Sequence, residues 1–336
     1  MTFTYPSHTT KGCVPLSSDV NIFIALTYSC NAFCEKCMTR YHVNRNVEMP
    51  LNLLDEVVGK LYAHQYEGLI SVGSGEPLLY PNISYFIDSI LSINSKISLR
   101  ILSNGKLFNN TLPSNYFSPR CKWGITMDGF SQEGLSGLQY GIDIETVKSN
   151  VAGIVDKYGP DHLYLNYTLH SHNYQELPEF CEFAVGLGIK DVYITELKVY
   201  NGYEDRLSAY QLKRTVEVNN VLNRAIQMMT ESGISYNNIL TENPQWNPYC
   251  FRRRKASPII DVNGDVSFCS GREDVIIGNI TDVNIEEKWN KMFGGLSIHP
   301  EKWCEFCHSN PLKNGYYSLP KIIDHQLVNE AKRNLQ

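Results

Sequence analysis

The chain has 336 residues, 43% of them hydrophobic and 19% charged, a composition that excludes disordered, collagen-like and coiled-coil classes. Its net charge of −5, from 30 Lys and Arg against 35 Asp and Glu, lacks the broad positive field that binds nucleic acid. No apolar run is long enough to span a membrane and no apolar signal core precedes residue 20, so we expect a globular, cytoplasmic protein without nucleic-acid or membrane partners.

Short apolar runs with β propensity alternate with amphipathic helical segments between residues 20 and 200. Helical spacing of three and four residues is clear at Leu54, Val57 and Leu61. Such alternation predicts βαβ units with right-handed crossovers and a parallel sheet. We therefore predict an α/β fold, a partial (β/α)6 TIM-like barrel whose reactive groups collect at the carboxyl ends of the strands. The six predicted strands cover residues 21–27, 69–72, 98–103, 123–127, 163–169 and 191–195.

The pattern changes near residue 206. One long helix is predicted there, with Ser208 as its N-cap. Residues 258–269 then predict a β-hairpin, because Asn263-Gly264 separates two apolar runs. The predicted units are an N-terminal extension (1–20), the barrel (21–205), a connector helix (206–245), a small C-terminal α+β module (246–315) and a C-terminal helix (316–336).

Ten cysteines are many for a cytoplasmic chain, in which disulfides rarely persist. Cys30, Cys34 and Cys37 follow the first predicted strand directly. Three thiolates on such a loop can hold three irons of a 4Fe-4S cube and leave the fourth iron open to an outside ligand. A zinc site with His42 as the fourth ligand is the alternative.

A second cysteine group lies in the last quarter of the chain. Its members, Cys250, Cys269, Cys304 and Cys307, have the spacing Cys-x18-Cys-x34-Cys-x2-Cys. Four ligands can complete either a tetrahedral zinc site or a second 4Fe-4S cluster with no open iron. The spacing alone leaves both interpretations open.

The Cys-x3-Cys-x2-Cys spacing of the first group resembles the cysteine motif of the radical SAM superfamily, although Lys36 stands where that family usually has an aromatic residue. The resemblance implies that these cysteines hold a catalytic 4Fe-4S cluster and that S-adenosylmethionine binds its open iron. The stretch Val72 to Pro77 resembles the Gly-Gly-Glu-Pro motif of the same family. By that resemblance, the residues around the methionyl amino group are Gly73, Ser74, Gly75 and Glu76.

Two further stretches, Ser103-Asn104-Gly105 and Thr126-Met127-Asp128-Gly129, also resemble conserved parts of this family. They imply that Ser103 and Thr126, with Asn166 on the next strand, contact the ribose hydroxyls and the carboxylate of S-adenosylmethionine. Many relatives carry His and Arg after this Asp-Gly pair, but residues 130–144 contain neither.

The sequence around Cys269 resembles the twitch domain, a shortened SPASM extension of some radical SAM enzymes. This resemblance implies one auxiliary 4Fe-4S cluster, held by the four cysteines of the second group.

The resemblance implies an enzyme that generates a 5'-deoxyadenosyl radical to abstract a substrate hydrogen, with an electron donor such as flavodoxin or ferredoxin. The auxiliary cluster suggests net oxidation. The roughly 20 residues before the first strand are too few for a peptide leader-binding module, which favours a small biosynthetic intermediate of sugar or aminocyclitol type. The alternatives are a maturase that cross-links or epimerises a ribosomal peptide, and a zinc-binding interaction protein.

Overall fold

The computed structural model describes residues 21–37, 46–135, 138–197, 207–236, 258–269, 272–285 and 287–288. The expectations for the N-terminal extension, His42, Cys250, Cys304, Cys307 and the C-terminal helix lie outside the described residues.

The core of the described structure is a ten-stranded sheet with the order β12-β11-β10-β1-β3-β4-β5-β7-β8-β9. Strands β1, β3, β4, β5, β7 and β8 lie side by side in chain order and are parallel, which confirms the predicted parallel α/β arrangement. Strands β2 and β6 form a separate antiparallel pair. The strands are β1 Ile22–Ala25, β2 Phe33–Cys34, β3 Leu69–Gly73, β4 Ser98–Ser103, β5 Cys121–Thr126, β6 Gln139–Tyr140, β7 Leu163–Leu169, β8 Asp191–Glu196, β9 Ser235–Tyr236, β10 Ile259–Ile260, β11 Asp265–Cys269 and β12 Arg272–Asn279.

Helices connect the parallel strands and bury their apolar sides against one face of the sheet. In α1 (Leu51–Ala63), Leu54, Val57 and Leu61 are buried, as their spacing predicts. Among the described helices, none combines the length and apolarity needed to cross a bilayer. The helices are α1 Leu51–Ala63, α2 Ile83–Ile93, α3 Gln132–Leu135, α4 Ile144–Tyr158, α5 Leu177–Gly186 and α6 Val216–Glu231.

The predicted start of the connector helix at Ser208 is wrong. Ser208 begins a short 3-10 turn, Ser208–Tyr210, and α6 begins only at Val216. The Thr215 hydroxyl accepts a hydrogen bond from the Val218 amide at 3.2 Å and is therefore the N-cap.

The predicted hairpin is present, since β10 and β11 pair antiparallel around a turn at Gly264, whose φ is +82°. β10 also runs parallel to β1, with Phe23 opposite Ile259. The hairpin thus extends the parallel sheet by direct hydrogen bonding.

The two faces of the parallel sheet differ in chemistry. Because side chains alternate along a strand, Leu99, Ile101 and Trp123 share the face that packs beneath the helices, and all three are fully buried. Residues in register across the opposite face are largely polar. We call this the inner face; its members include Arg100, Lys122, Thr126, Tyr164, Asn166, Thr168 and Tyr193.

Candidate active site at the carboxyl ends of the strands

Cys30, Cys34 and Cys37 lie on one loop that begins where β1 ends, and all three are half-buried. Cys34 is opposite Gln139 in the β2-β6 pair, and the Cys37 amide donates to the Cys34 carbonyl at 3.1 Å. The loop is therefore held by backbone hydrogen bonds on both sides of Cys34.

Burial raises the pKa of the Cys34 thiol; Cys37 and Asp128 raise it further, while Lys36 lowers it. Such a thiol stays protonated until a metal replaces the proton. Among the described residues, no three His, Cys, Asp or Glu side chains converge closely enough to hold a single metal ion. A 4Fe-4S cluster does not require the three sulfur atoms to converge on one ion, because each thiolate binds a different iron.

The turn after β3 packs directly against the cysteine loop. Ser74 and Gly75 both have left-handed backbone conformations, with φ of +65° and +74°. A Cβ atom on Gly75 would lie 2.5 Å from the Ser29 carbonyl oxygen and 2.6 Å from that of Thr27. The Glu76 amide donates to the same Ser29 oxygen at 2.7 Å. Only glycine at position 75 allows this close approach.

The Glu76 carboxylate is fully buried and joins the ends of β3 and β4. It accepts hydrogen bonds from the Ser103 hydroxyl at 2.9 Å, the Asn104 amide at 2.9 Å and the Leu78 amide at 3.2 Å. Burial raises the pKa of Glu76, and these hydrogen bonds oppose that rise. Ser103 is itself buried, and its hydroxyl is the donor to Glu76. The predicted contact of Ser103 with a cofactor stays a prediction.

Asn104 is a second link to the cysteine loop that the sequence analysis missed. Its side-chain nitrogen lies 3.7 Å from the Cys30 sulfur and donates to the Asn31 side-chain oxygen at 2.7 Å. The residue stands within the Ser103-Asn104-Gly105 stretch, so its position at a strand end was the available signal.

Lys36 ties the same loop to the ends of β5 and β7. Its ammonium lies 2.5 Å from the Asp128 carboxylate and donates to the Thr168 hydroxyl. Asp128 is only 1% exposed and also accepts from the Thr168 amide at 3.2 Å. The sequence singled out Lys36 only as a departure from the aromatic residue expected there.

Thr126 and Asn166 are neighbours in register on β5 and β7 and belong to the inner face. The Asn166 side-chain nitrogen is buried and has no hydrogen-bond partner in the described part of the chain. Of the residues predicted to contact S-adenosylmethionine, these two lie on the inner face near the carboxyl ends of their strands.

The second cysteine group is described only at Cys269, whose backbone ends β11. Cys250, Cys304 and Cys307 lie outside the described residues, so the predicted second cysteine site stays a prediction. Cys121 is the first residue of β5, and Cys181 lies in α5; both are fully buried.

The family model of the Radical SAM superfamily matches residues 24–184, which span the sheet from β1 to β7 and the cysteine loop. The match covers just under half of the chain, and it shows that this segment is similar to radical SAM domains.

Solved structures show the same fold. Streptococcus suis SuiB bound to S-adenosylmethionine is 15% identical with a TM-score of 0.64, covering 93% of this chain and 78% of that chain. SuiB bound to its precursor peptide SuiA is 15% identical with a TM-score of 0.63, covering 88% and 70%. Native anSMEcpe with bound AdoMet is 16% identical with a TM-score of 0.62, covering 94% and 95%. Comparison with curated protein sequences yields no match.

Domains of the radical SAM family use a 4Fe-4S cluster and S-adenosylmethionine, and the described residues of this similar segment fit both groups. Cys30, Cys34 and Cys37 offer three thiols on one loop, the donor type that such clusters require. The left-handed turn at Ser74 and Gly75 places the backbone of residues 73–76 beside that loop.

Proposed function

We propose that the protein is a radical SAM enzyme that removes a hydrogen atom from a small biosynthetic intermediate of the sugar or aminocyclitol type. The observation that carries the proposal is the docking of the Gly75 turn against the loop of three thiols, with Glu76 hydrogen-bonding to the Ser29 carbonyl at 2.7 Å. When bound, the cluster and S-adenosylmethionine supply a 5'-deoxyadenosyl radical.

The chain is proposed to bind the cluster and S-adenosylmethionine, to orient the substrate toward them and to exclude water from the site. The backbone of Gly73 to Glu76 holds the amino group of S-adenosylmethionine, and Thr126 and Asn166 hydrogen-bond its ribose or carboxylate. Cys30, Cys34 and Cys37 hold the cluster.

We further propose that Cys250, Cys269, Cys304 and Cys307 hold an auxiliary 4Fe-4S cluster in a twitch-type module. When bound by these four cysteines, such a cluster would supply an acceptor for the electron that the substrate radical loses, and the net reaction would then be an oxidation. A flavodoxin or ferredoxin supplies the first electron.

Modification of a peptide substrate is the second candidate function. SuiB was solved with a precursor peptide, and anSMEcpe was solved with AdoMet and a peptide. Under this proposal the chain modifies a ribosomally made peptide by cross-linking or epimerisation.

The test is anaerobic reconstitution of the full chain, followed by reduction in the presence of candidate substrates labelled with deuterium. Deuterium that appears in 5'-deoxyadenosine identifies the compound that loses its hydrogen. Transfer from an aminocyclitol or sugar supports the first proposal, whereas transfer from a peptide alone replaces it by the second. Colourless protein that holds zinc and forms no 5'-deoxyadenosine would remove both.

Iron content tests the auxiliary cluster separately. Two clusters require about eight irons per chain, and a single cluster requires about four. Cys304→Ala should lower the iron content toward the smaller value and block product formation while some 5'-deoxyadenosine still forms. An unchanged iron content and turnover would contradict the auxiliary site.

A further inference from the structure

Arg100 lies on the inner face of β4, half-buried and without an anionic partner in the described structure. Within the described structure its guanidinium contacts two aromatic rings: its central carbon is 5.7 Å from the Tyr164 ring centroid and 5.6 Å from that of Tyr193. Planar guanidinium groups stack well on aromatic rings while keeping their N–H donors free at the edge.

The packing of β5 and β7 brings Arg100, Tyr164 and Tyr193 together. Tyr164 crosses β5 at Gly124, where an added Cβ would lie 2.3 Å from the tyrosine ring. The two tyrosine rings then meet edge to face, with centroids 5.3 Å apart. In a flat sheet, β4 and β8 would be about 14 Å apart, so Arg100 and Tyr193 must both lean across the inner face to make this contact.

The charge of Arg100 is not neutralised by its neighbours. Lys122, the register partner of Arg100, is paired with Asp191 at 2.7 Å. Burial raises the pKa of Tyr164, so its phenol remains uncharged beside the guanidinium. A half-buried cation without a counterion is unfavourable, and an anionic ligand would offset that cost.

Asn166, proposed above to contact S-adenosylmethionine, lies nearer the carboxyl ends of the strands than Arg100 does. The buried side-chain nitrogen of Asn166 has no described partner and stands two residues beyond Tyr164 on the same face of β7. Arg100 itself is three residues before the end of β4 at Ser103, about 10 Å below the edge where the cysteine loop lies. A ligand of small-molecule size spans that distance.

We propose that Arg100, framed by Tyr164 and Tyr193, binds an anionic group of the substrate, a carboxylate or a phosphate, and thereby aims the rest of the molecule at the carboxyl edge of the sheet. The inference rests on the proposed function and narrows its substrate class to acids and phosphate esters.

The test measures anion binding to the reconstituted full chain, without reductant, by isothermal titration with inorganic phosphate and with acetate against a sodium chloride reference. The variants are Arg100→Met, Arg100→Lys and the matched control Lys122→Met, which removes a cation already paired with Asp191. Losing a charge-assisted pair should weaken binding about tenfold or more in Arg100→Met. Arg100→Lys should weaken it less, and Lys122→Met should leave it within about twofold.

Binding of phosphate that depends on Arg100 supports a phosphorylated substrate, and binding of acetate alone supports a carboxylate. Equal binding by wild type and Arg100→Met, or no binding above the chloride reference, would overturn the inference. Phenylglyoxal labelling of the wild-type chain covers the case in which the variants fail to fold, because the anion should protect Arg100 from modification. Absence of 5'-deoxyadenosine formation would instead overturn the proposed function, since the titration requires no turnover.

Discussion

The Lys36 ammonium lies 2.5 Å from the Asp128 carboxylate and so joins the loop of three thiols to the end of β5. Asp128 is almost completely buried, whereas Lys36 keeps 18% of its side chain exposed. The pair fixes the loop from the side opposite to the Gly75 turn. The cysteine loop thus contacts the end of β3 through the Gly75 turn and the segment after β5 through Asp128.

Lys36→Met should leave the Asp128 charge buried and unpaired, and should lower the free energy of unfolding by about 3 kcal/mol. The double variant with Asp128→Asn should recover part of that loss. The control is Lys96→Met, which breaks the exposed pair with Glu67 and should cost less than about 1 kcal/mol. Urea denaturation measures all three; equal losses for Lys36→Met and Lys96→Met would contradict a structural role of the buried pair.

Gly75→Ala should displace the cysteine loop, because its Cβ would lie 2.5 Å from the Ser29 carbonyl oxygen. We expect a lower melting temperature and less iron bound after reconstitution. Gly59→Ala is the matched control: its Cβ would meet nothing within 4 Å and it lies inside α1. That change should be neutral or stabilise by up to about 1 kcal/mol. A Gly75→Ala protein that binds iron like the wild type would show that the contact is dispensable.

Glu76→Gln replaces a carboxylate that accepts three hydrogen bonds by an amide. The NH2 group of that amide would have to face one or more of the same donor groups. The free energy of unfolding should fall by about 2 kcal/mol, and by about 1 kcal/mol in Ser103→Ala, which removes one of the three. Chemical denaturation checks the order of the two effects. A larger loss in Ser103→Ala than in Glu76→Gln would argue against Glu76 as the centre of this network.

His170, fully buried at the end of β7, should make stability depend on pH. Burial lowers its pKa from 6.5 to about 4. The unfolded chain therefore binds a proton between these values while the folded chain does not. This residue's contribution to stability is present above pH 6.5 and is lost as the pH falls toward 4, by at most about 3 kcal/mol.

The check is the difference in unfolding free energy between wild type and His170→Gln, followed from pH 7 to pH 4. The unfolding free energy of the wild type minus that of His170→Gln should decrease as the pH falls. A difference that stays constant with pH would show that His170 titrates alike in both states.

Much of this fold could be read from local pattern. Residues 98–103 and 163–169 were predicted as strands with the bounds that β4 and β7 have, because apolar runs between helical segments carry that information locally. The start of α6 was missed because Ser208 and Thr215 are both good N-caps, and only the folded chain chooses between them.

Contacts between distant segments could not be predicted. The pairing of β10 with β1 joins Phe23 to Ile259, and no local pattern encodes such a partner. For the candidate site, too, local motifs could be predicted and contacts between distant segments could not. The cysteine and glycine motifs were visible in the sequence, whereas the Lys36–Asp128 pair and the meeting of Arg100 with Tyr193 depend on how the strands are ordered.

The most direct test of the central claim is reductive cleavage of S-adenosylmethionine by the reconstituted protein, with Cys34→Ala and Cys121→Ala compared side by side. Cys121 is buried at the start of β5, away from the proposed cluster, and controls for the loss of a thiol as such. We expect wild type and Cys121→Ala to form 5'-deoxyadenosine and Cys34→Ala to form none. Cleavage by Cys34→Ala at the wild-type rate would contradict the claim that this loop holds the reactive cluster.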